Sequence, residues 1–403
     1  MKYKNSGKIR ISGTGCILAD YFYTNIDFNG TVFQKYRSIS PGDGGLYPGK
    51  LVFTEDLELF AGRKFEEIVS DLTGNRQSET ANIGGPCIVA LINVSQMMFQ
   101  NYDCDVRFYG SLGNDVTAEF IKNSLYDTGV DVTGIKTFNA PSPYTSVFSD
   151  SEYDGGSGER IFVNNLGSAL LFGPADLNEN FFESDILVFG ATALVPHIHD
   201  CLSLLLKKGK DNKCLNIVTT VYDFRNEKAF PGKAWPLADE DSCWLIDLLI
   251  TSRDEALGIS GKDSSESAME YFRNLGIGAV IITHGPNPVM VYSGGNFFRE
   301  RELTQIPLSD KILKIIRNDA SGDSTGCGDN FAGGVIASTA MQLIGKHNSS
   351  PDLVEACVWG MASGAFANFH LGGMFVEKFH GEKYKKISEF AEIYKEHVKE
   401  LKI

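Results

Sequence analysis

Short apolar runs and helix-spaced runs take turns through the second half of the chain. Ile186 to Phe189, Asn216 to Val221, Leu245 to Ile250 and Ala279 to Thr283 read as strands of nearly continuous apolar type. Asp200 to Lys207 and Glu266 to Asn274 read as helices between them. A strand that is apolar on both sides is buried on both faces. Its alternation with helices predicts a mostly parallel sheet covered above and below. Longer helices are predicted from about Asn330 to Ile344, after a glycine-rich turn, and from about Asp352 to Phe369.

The first half is less regular. Lys8 to Ala19 reads as a strand running into a glycine-containing turn, with Asp20 just beyond it. Tyr21 to Glu79 has no clear period and holds a Gly/Pro cluster from Pro41 to Gly49. Gly84-Gly85-Pro86 feeds a helix whose apolar positions are Ile88, Leu91, Ile92, Val94 and Met98. Val106 to Tyr109 reads as a short strand, and Asp115 to Leu125 as a helix ending at the Gly129 turn. Tyr144 to Asp150 and Arg160 to Asn164 read as strands around a glycine-rich hairpin, Asp154 to Gly158. The expected fold is an α/β three-layer sandwich with a mostly parallel central sheet. Segments 21–80 and 137–165 are expected to form a small β-rich lid, and ligands belong at the C-terminal ends of the strands.

Composition narrows the function classes. The 403 residues are 43% hydrophobic and 22% charged, enough to bury a large core. The net charge, 37 − 51 = −14, opposes binding to nucleic acid or to an anionic membrane surface. No basic patch accompanies the aromatic residues, so stacking on bases of a nucleic acid is not expected either. The eight cysteines show no C-x-x-C spacing, which predicts buried reduced thiols and a cytoplasmic setting. The basic N-terminus is followed by an apolar stretch broken at Ser12, Gly13, Thr14 and Gly15, so no signal peptide is expected. No apolar run approaches the ~18 residues that a membrane helix needs.

The chemistry concentrates in Asp323-Ser-Thr-Gly-Cys-Gly-Asp329, a loop of small residues opening directly into a helix. Unpaired N–H groups at a helix start attract an anion such as a phosphate. A carboxylate in that same turn would repel the phosphate. It makes sense there as a base that takes the proton of a hydroxyl attacking the phosphorus. Other candidates read as ordinary structure. Gly44 to Leu51 nearly matches a phosphate loop, but Leu51 replaces the required hydroxyl and Pro48 removes an N–H. His197 and His199 lack an evident third ligand and read as surface or loop histidines. Asp43-Gly44-Gly45 reads equally as a surface turn or as a substrate contact, and Asp223 ends a strand that faces the cleft or the core.

The stretch Asp323 to Gly334 resembles the C-terminal signature of the ribokinase-like (PfkB) carbohydrate kinases, with Ser324 and Cys327 in place of the usual Thr and Ala. The resemblance extends to Gly13–Asp20, Gly84-Gly85, the run Gly110-Ser-Leu-Gly-Asn-Asp115 with Gly129-Val130-Asp131, Gly158-Glu159-Arg160, Asp254-Glu255-Ala256 and Thr283-His284-Gly285. It implies one kinase domain over 1–403. Asp329 would be the catalytic base, and Gly326, Cys327 and Gly328 would form the anion hole. Asp20, Gly84 and Gly85 would bind the acceptor, and Thr283, Gly285 and Glu255 would face ATP. Asp323 would lie near a monovalent cation. ATP and Mg2+ are the implied cofactors, with K+ for members that carry the cation site. The activity implied is phosphorylation of a hydroxyl of a small carbohydrate. A nucleoside kinase, or a non-catalytic sugar- or nucleotide-binding regulator, is the alternative. A homodimer through the lid edge also fits. Three departures stand out, one being that the block from about Tyr21 to Glu79 is longer than a minimal member needs. Pro86, Cys87, Ile88 and Val89 occupy the stretch where the family has a sugar-binding Asn, and Ser252 stands in for the Asn of Asn-x-x-Glu.

Overall fold

The computed structural model describes residues 8–40, 42–156, 158–319, 322, 324–345 and 349–403. Its main sheet has nine strands. Across the sheet they run Arg301–Ile306, Val289–Ser293, Ala279–Thr283, Leu248–Ser252, Leu215–Thr219, Ile186–Gly190, Ile9–Thr14, Cys104–Leu112 and Val130–Thr137. Every junction from Ala279–Thr283 to Val130–Thr137 is parallel, and the two beyond Ala279–Thr283 are antiparallel.

Alternation along these strands builds two separate cores. Ile186, Val188, Leu248, Ile250, Ala279 and Ile281 pack on one face with helices Pro86–Met98, Cys327–Gly345, Leu353–Ala367 and Glu382–Glu400. Leu187, Phe189, Leu249, Val280 and Ile282 pack on the other with helices Leu202–Asp211, Arg253–Ser260 and Ser265–Asn274. A period of two therefore sorts each apolar strand between two helical layers. This is the three-layer α/β sandwich with a mostly parallel sheet. Among the described residues no helix is long and apolar enough to cross a membrane.

A second sheet of five strands runs Leu51–Phe53, Glu159–Asn165, Tyr144–Asp150, Leu18–Tyr23 and Thr80–Gly84. Its outer face closes a third core, in which Phe28, Phe33, Leu57, Ile68, Phe148, Ile161 and Val163 are buried. Three local expectations change. Asp20 does not follow a turn: a short link after Thr14 leads into Leu18–Tyr23, and Asp20 lies inside that strand. The block 21–79 is not irregular throughout, since it holds helices Thr54–Ala61 and Phe65–Thr73, each stopped by a left-handed glycine, Gly62 and Gly74. The strand expected over 106–109 runs from Cys104 to Leu112.

Candidate active site

The helix Cys327–Gly345 begins at a turn whose Gly326 has φ +76°. A Cβ on Gly326 would lie 2.5 Å from the Gly373 Cα, so this turn and the Gly372-Gly373 loop approach closer than any side chain allows. Thr325, Gly326 and Asp329 face a cleft of about 620 Å³, counting space open to solvent. Gly84, Gly85 and Pro86 line it from a second side, at the start of another helix. Asp20 lines it from the second sheet. A Cβ on Gly84 would lie 2.3 Å from Asp20 Oδ2, so the glycine is what lets that carboxylate sit there.

Five of the residues singled out in the sequence, Asp20, Gly84, Gly85, Gly326 and Asp329, thus share one cavity. Cys327 and Gly328 belong to the same helical turn as Asp329. Glu255 opens the helix Arg253–Ser260, capped by Ser252, and its carboxylate accepts from Thr220 Oγ1 at 2.6 Å. Ser252 does not leave a gap there: its hydroxyl and Glu255 form a reciprocal capping box. Thr283 pairs with Ser252 across neighbouring strands, and Gly285 follows in a left-handed turn. Thr283 and Gly285 lie outside the lining of the main cleft. Asp323 lies outside the described residues.

The electrostatics single out Asp329. Burial first, and the nearby Glu255 charge second, together raise its carboxyl to about 7. The carboxyl still reaches the cleft, so it is shielded from bulk water without being sealed off.

The second sheet supplies contacts that the sequence reading missed. In Glu159–Asn165, Ile161 and Val163 point into the third core. Alternation then turns Arg160, Phe162 and Asn164 toward the cleft. Phe162 and Asn164 line it, with Thr145 from the neighbouring strand. Arg160 Nη1 donates to Thr325 Oγ1 at 2.7 Å and Nη2 to Ser324 Oγ at 3.0 Å, joining the second sheet to the turn. The period-two pattern running on from Arg160 was the available signal. Gly373 was marked by the Gly-Gly doublet in Leu371-Gly-Gly-Met374.

The remaining candidates are structural. Gly44 to Leu51 leads into a strand, not a helix, so it presents no helix N-terminus. The Asp43 carboxylate is taken up by the N–H groups of Ile39, Ser40 and Gly45. His199 is not a surface residue: it is buried, and Nε2 donates to the Pro236 carbonyl while Nδ1 accepts from Thr192 Oγ1. Asp223 is buried and caps the helix Phe224–Ala229, accepting from Asn226.

The family model for pfkB family carbohydrate kinases matches residues 66–377. The chain belongs to the pfkB family of carbohydrate kinases. Solved structures share the fold of this pfkB-family kinase at low identity. Adenosine kinase from Schistosoma mansoni, in complex with 2-fluoroadenosine, is 15% identical at a TM-score of 0.66, covering 91% of this chain and 97% of that one. A putative ribokinase II from E. coli, in complex with ATP and Mg2+, is 18% identical at 0.63, covering 96% and 100%. Ribokinase from Thermotoga maritima is 16% identical at 0.59, covering 95% and 99%.

Proposed function

We propose that this kinase transfers the γ-phosphoryl group of ATP to a hydroxyl of a small sugar or nucleoside, with Asp329 as the base. The observation that carries the reading is a carboxyl held near pKa 7 at a helix N-terminus, opposite a second carboxylate, Asp20, across one cleft. Asp20 and the Gly84-Gly85 backbone orient the acceptor. Asp329 takes the proton of the attacking hydroxyl. The N–H groups of Gly326, Cys327, Gly328 and Asp329 stabilise the charge that grows on the phosphoryl oxygens. ATP supplies the phosphoryl group when bound. Glu255, Thr283 and Gly285 sit at the ends of neighbouring parallel strands, where a nucleotide fits this architecture. Two carboxylates near the turn, Glu255 and Asp329, suit a hydrated Mg2+. The second sheet, with segments 21–80 and 137–165, acts as a lid whose closure excludes water.

One observation favours a nucleoside over a free sugar. Leu18, Leu51, Phe162, Leu194, Val221 and Phe224 line the cleft. A hexose presents a hydroxyl at nearly every carbon and has little to gain from such walls, whereas a planar base stacks on them. Asn164 is buried, and its Oδ1 has no hydrogen-bond partner among the described residues. The residue lines the cleft beside the space for the acceptor. Asn164→Leu is expected to raise the acceptor KM about 10-fold or more while leaving the KM for ATP in place. Equal effects on both constants would remove Asn164 from the acceptor site.

The deciding experiment is ATP consumption with Mg2+ against a panel of pentoses, hexoses, sugar acids and nucleosides, with and without K+. Acceptor-dependent turnover names the substrate class. Saturable ATP binding with no turnover on any acceptor would replace the enzyme reading with that of a regulator.

A further inference from the structure

Behind the turn, and outside everything assigned above, lies a lysine with no exposure to solvent. Lys383 belongs to the helix Glu382–Glu400 and is fully buried. Its Nζ makes one hydrogen bond among the described residues, donating to Asn330 Oδ1 at 2.8 Å. Asn330, the residue after Asp329, is also fully buried. Its Nδ2 donates to two carbonyls, Gly326 at 2.9 Å and Gly373 at 2.9 Å. Those two glycines flank the turn and line the cleft from either side of the close approach described above.

An amide side chain in this position has two orientations. One presents both N–H groups to the two carbonyls. The other presents Oδ1 to them, oxygen against oxygen. A donor on the far side of the amide selects the first orientation, and Lys383 is that donor. Burial lowers its ammonium to about 7, with the Glu377 carboxylate opposing. The charged and neutral forms both carry N–H groups, so the selection does not depend on the charge. A buried lysine costs stability, and an apolar side chain of the same length would fill the space without that cost.

We propose that Lys383 is a positioning residue: by fixing the Asn330 amide, it holds the Gly326 turn and the Gly373 loop at the spacing the anion hole requires. It touches neither acceptor nor phosphate and acts only through Asn330. The catalytic consequence rests on the phosphotransfer reading, whereas the mechanical one does not.

The test compares the full-length protein with Lys383→Met, Asn330→Leu and the double variant, by kinetics, thermal melting and amide hydrogen exchange. Expected for Lys383→Met is a loss in kcat of about 10- to 100-fold with both KM values held within about 3-fold. The melting temperature should stay within about 3 °C, and Thr325–Asp329 amides should exchange about 10-fold faster without ligand. The double variant should fall no further than Asn330→Leu alone, because the two act as one unit. Lys383→Gln, which keeps a neutral donor, should recover part of the rate. Unchanged exchange in the turn, or additive losses in the double variant, would overturn the proposal. A wild-type protein with no turnover would fail the phosphotransfer reading alone, since exchange still reports the turn. If neither Lys383→Met nor Lys383→Gln folds, Lys383 secures the fold rather than the turn, and the proposal falls.

Discussion

Asp329→Asn is expected to lower kcat at least a thousandfold and, at the same time, to make the protein more stable at neutral pH. The two effects share one cause. The carboxyl is raised to about 7 by burial first and by the Glu255 charge second. In the unfolded chain an aspartate ionises near ~3.9. Between those values the folded protein holds a proton that the unfolded chain has released, so stability falls as pH climbs from about 4 to about 7. Above that range the folded state carries the full cost of a shielded anion. Asparagine removes the anion, and a gain of about 1–4 kcal/mol at pH 8 follows, vanishing below about pH 4. ATP affinity by calorimetry should persist in the variant. Near-normal turnover would end the role of Asp329 as base. The wild-type rate should rise with pH through about 7 and level off above, because the base works only when ionised. Glu255→Gln should move that midpoint downward, though not to the value of a free aspartate, since burial remains the larger cause. A profile that falls over this range would contradict the assignment.

Gly85→Ala should be the most damaging single methyl in the cleft. Gly85 has φ +101° and ψ 113°, far from any region that alanine occupies comfortably. A Cβ there would also lie 2.3 Å from the Cys16 carbonyl oxygen and 3.0 Å from the Ile17 Cα, both backbone atoms that cannot swing aside. Strain and collision together should cost about 2–4 kcal/mol, read as a lower urea midpoint with an unchanged slope. The relief available is movement of the Cys16–Ile17 link, which shifts Leu18 and Asp20 away from the acceptor. Acceptor KM should therefore rise by at least ~10-fold even where the variant is still fully folded. Gly62→Ala, at a left-handed helix end with open space around it, is the control. It should cost only about 1 kcal/mol and leave the kinetics unchanged. Equal costs at the two positions would show that crowding at Gly85 adds nothing to conformational strain.

The sequence made the sandwich legible where burial is two-sided. Ile186–Gly190 and Ala279–Thr283 are apolar at every interior position, and only a sheet covered on both faces requires that. The glycine turn before Asp329 was legible for a different reason, because its run of small residues opening into a helix resembles the pfkB signature. What escaped notice was one-sided or locally polar. Arg301–Ile306 is an edge strand of mixed character, and its antiparallel return is not forced by any pattern. In the helix Glu382–Glu400 the buried apolar positions, Ile387, Ala391, Tyr394 and Val398, begin only after a charged first turn, and so Lys383 went unread. Asn164 and Phe162 were hidden because in Glu159–Asn165 alternate positions serve a core and the cleft. Separating the two sets requires knowing which face is which.

The link from Ile9–Thr14 to Leu18–Tyr23 carries the chain from the large sheet to the small one within a few residues. Asp20 rides on the small sheet, while Asp329 rides on the helical layer of the large one. The cleft therefore carries one carboxylate on each wall, held by a different layer of the fold. A molecule that binds both walls adds its own binding energy to the seam between them, whereas one that binds a single wall leaves the seam as it was. Acceptors that reach both carboxylates should consequently be recognisable before any turnover is measured, as the ligands that raise the melting temperature rather than merely occupy the space.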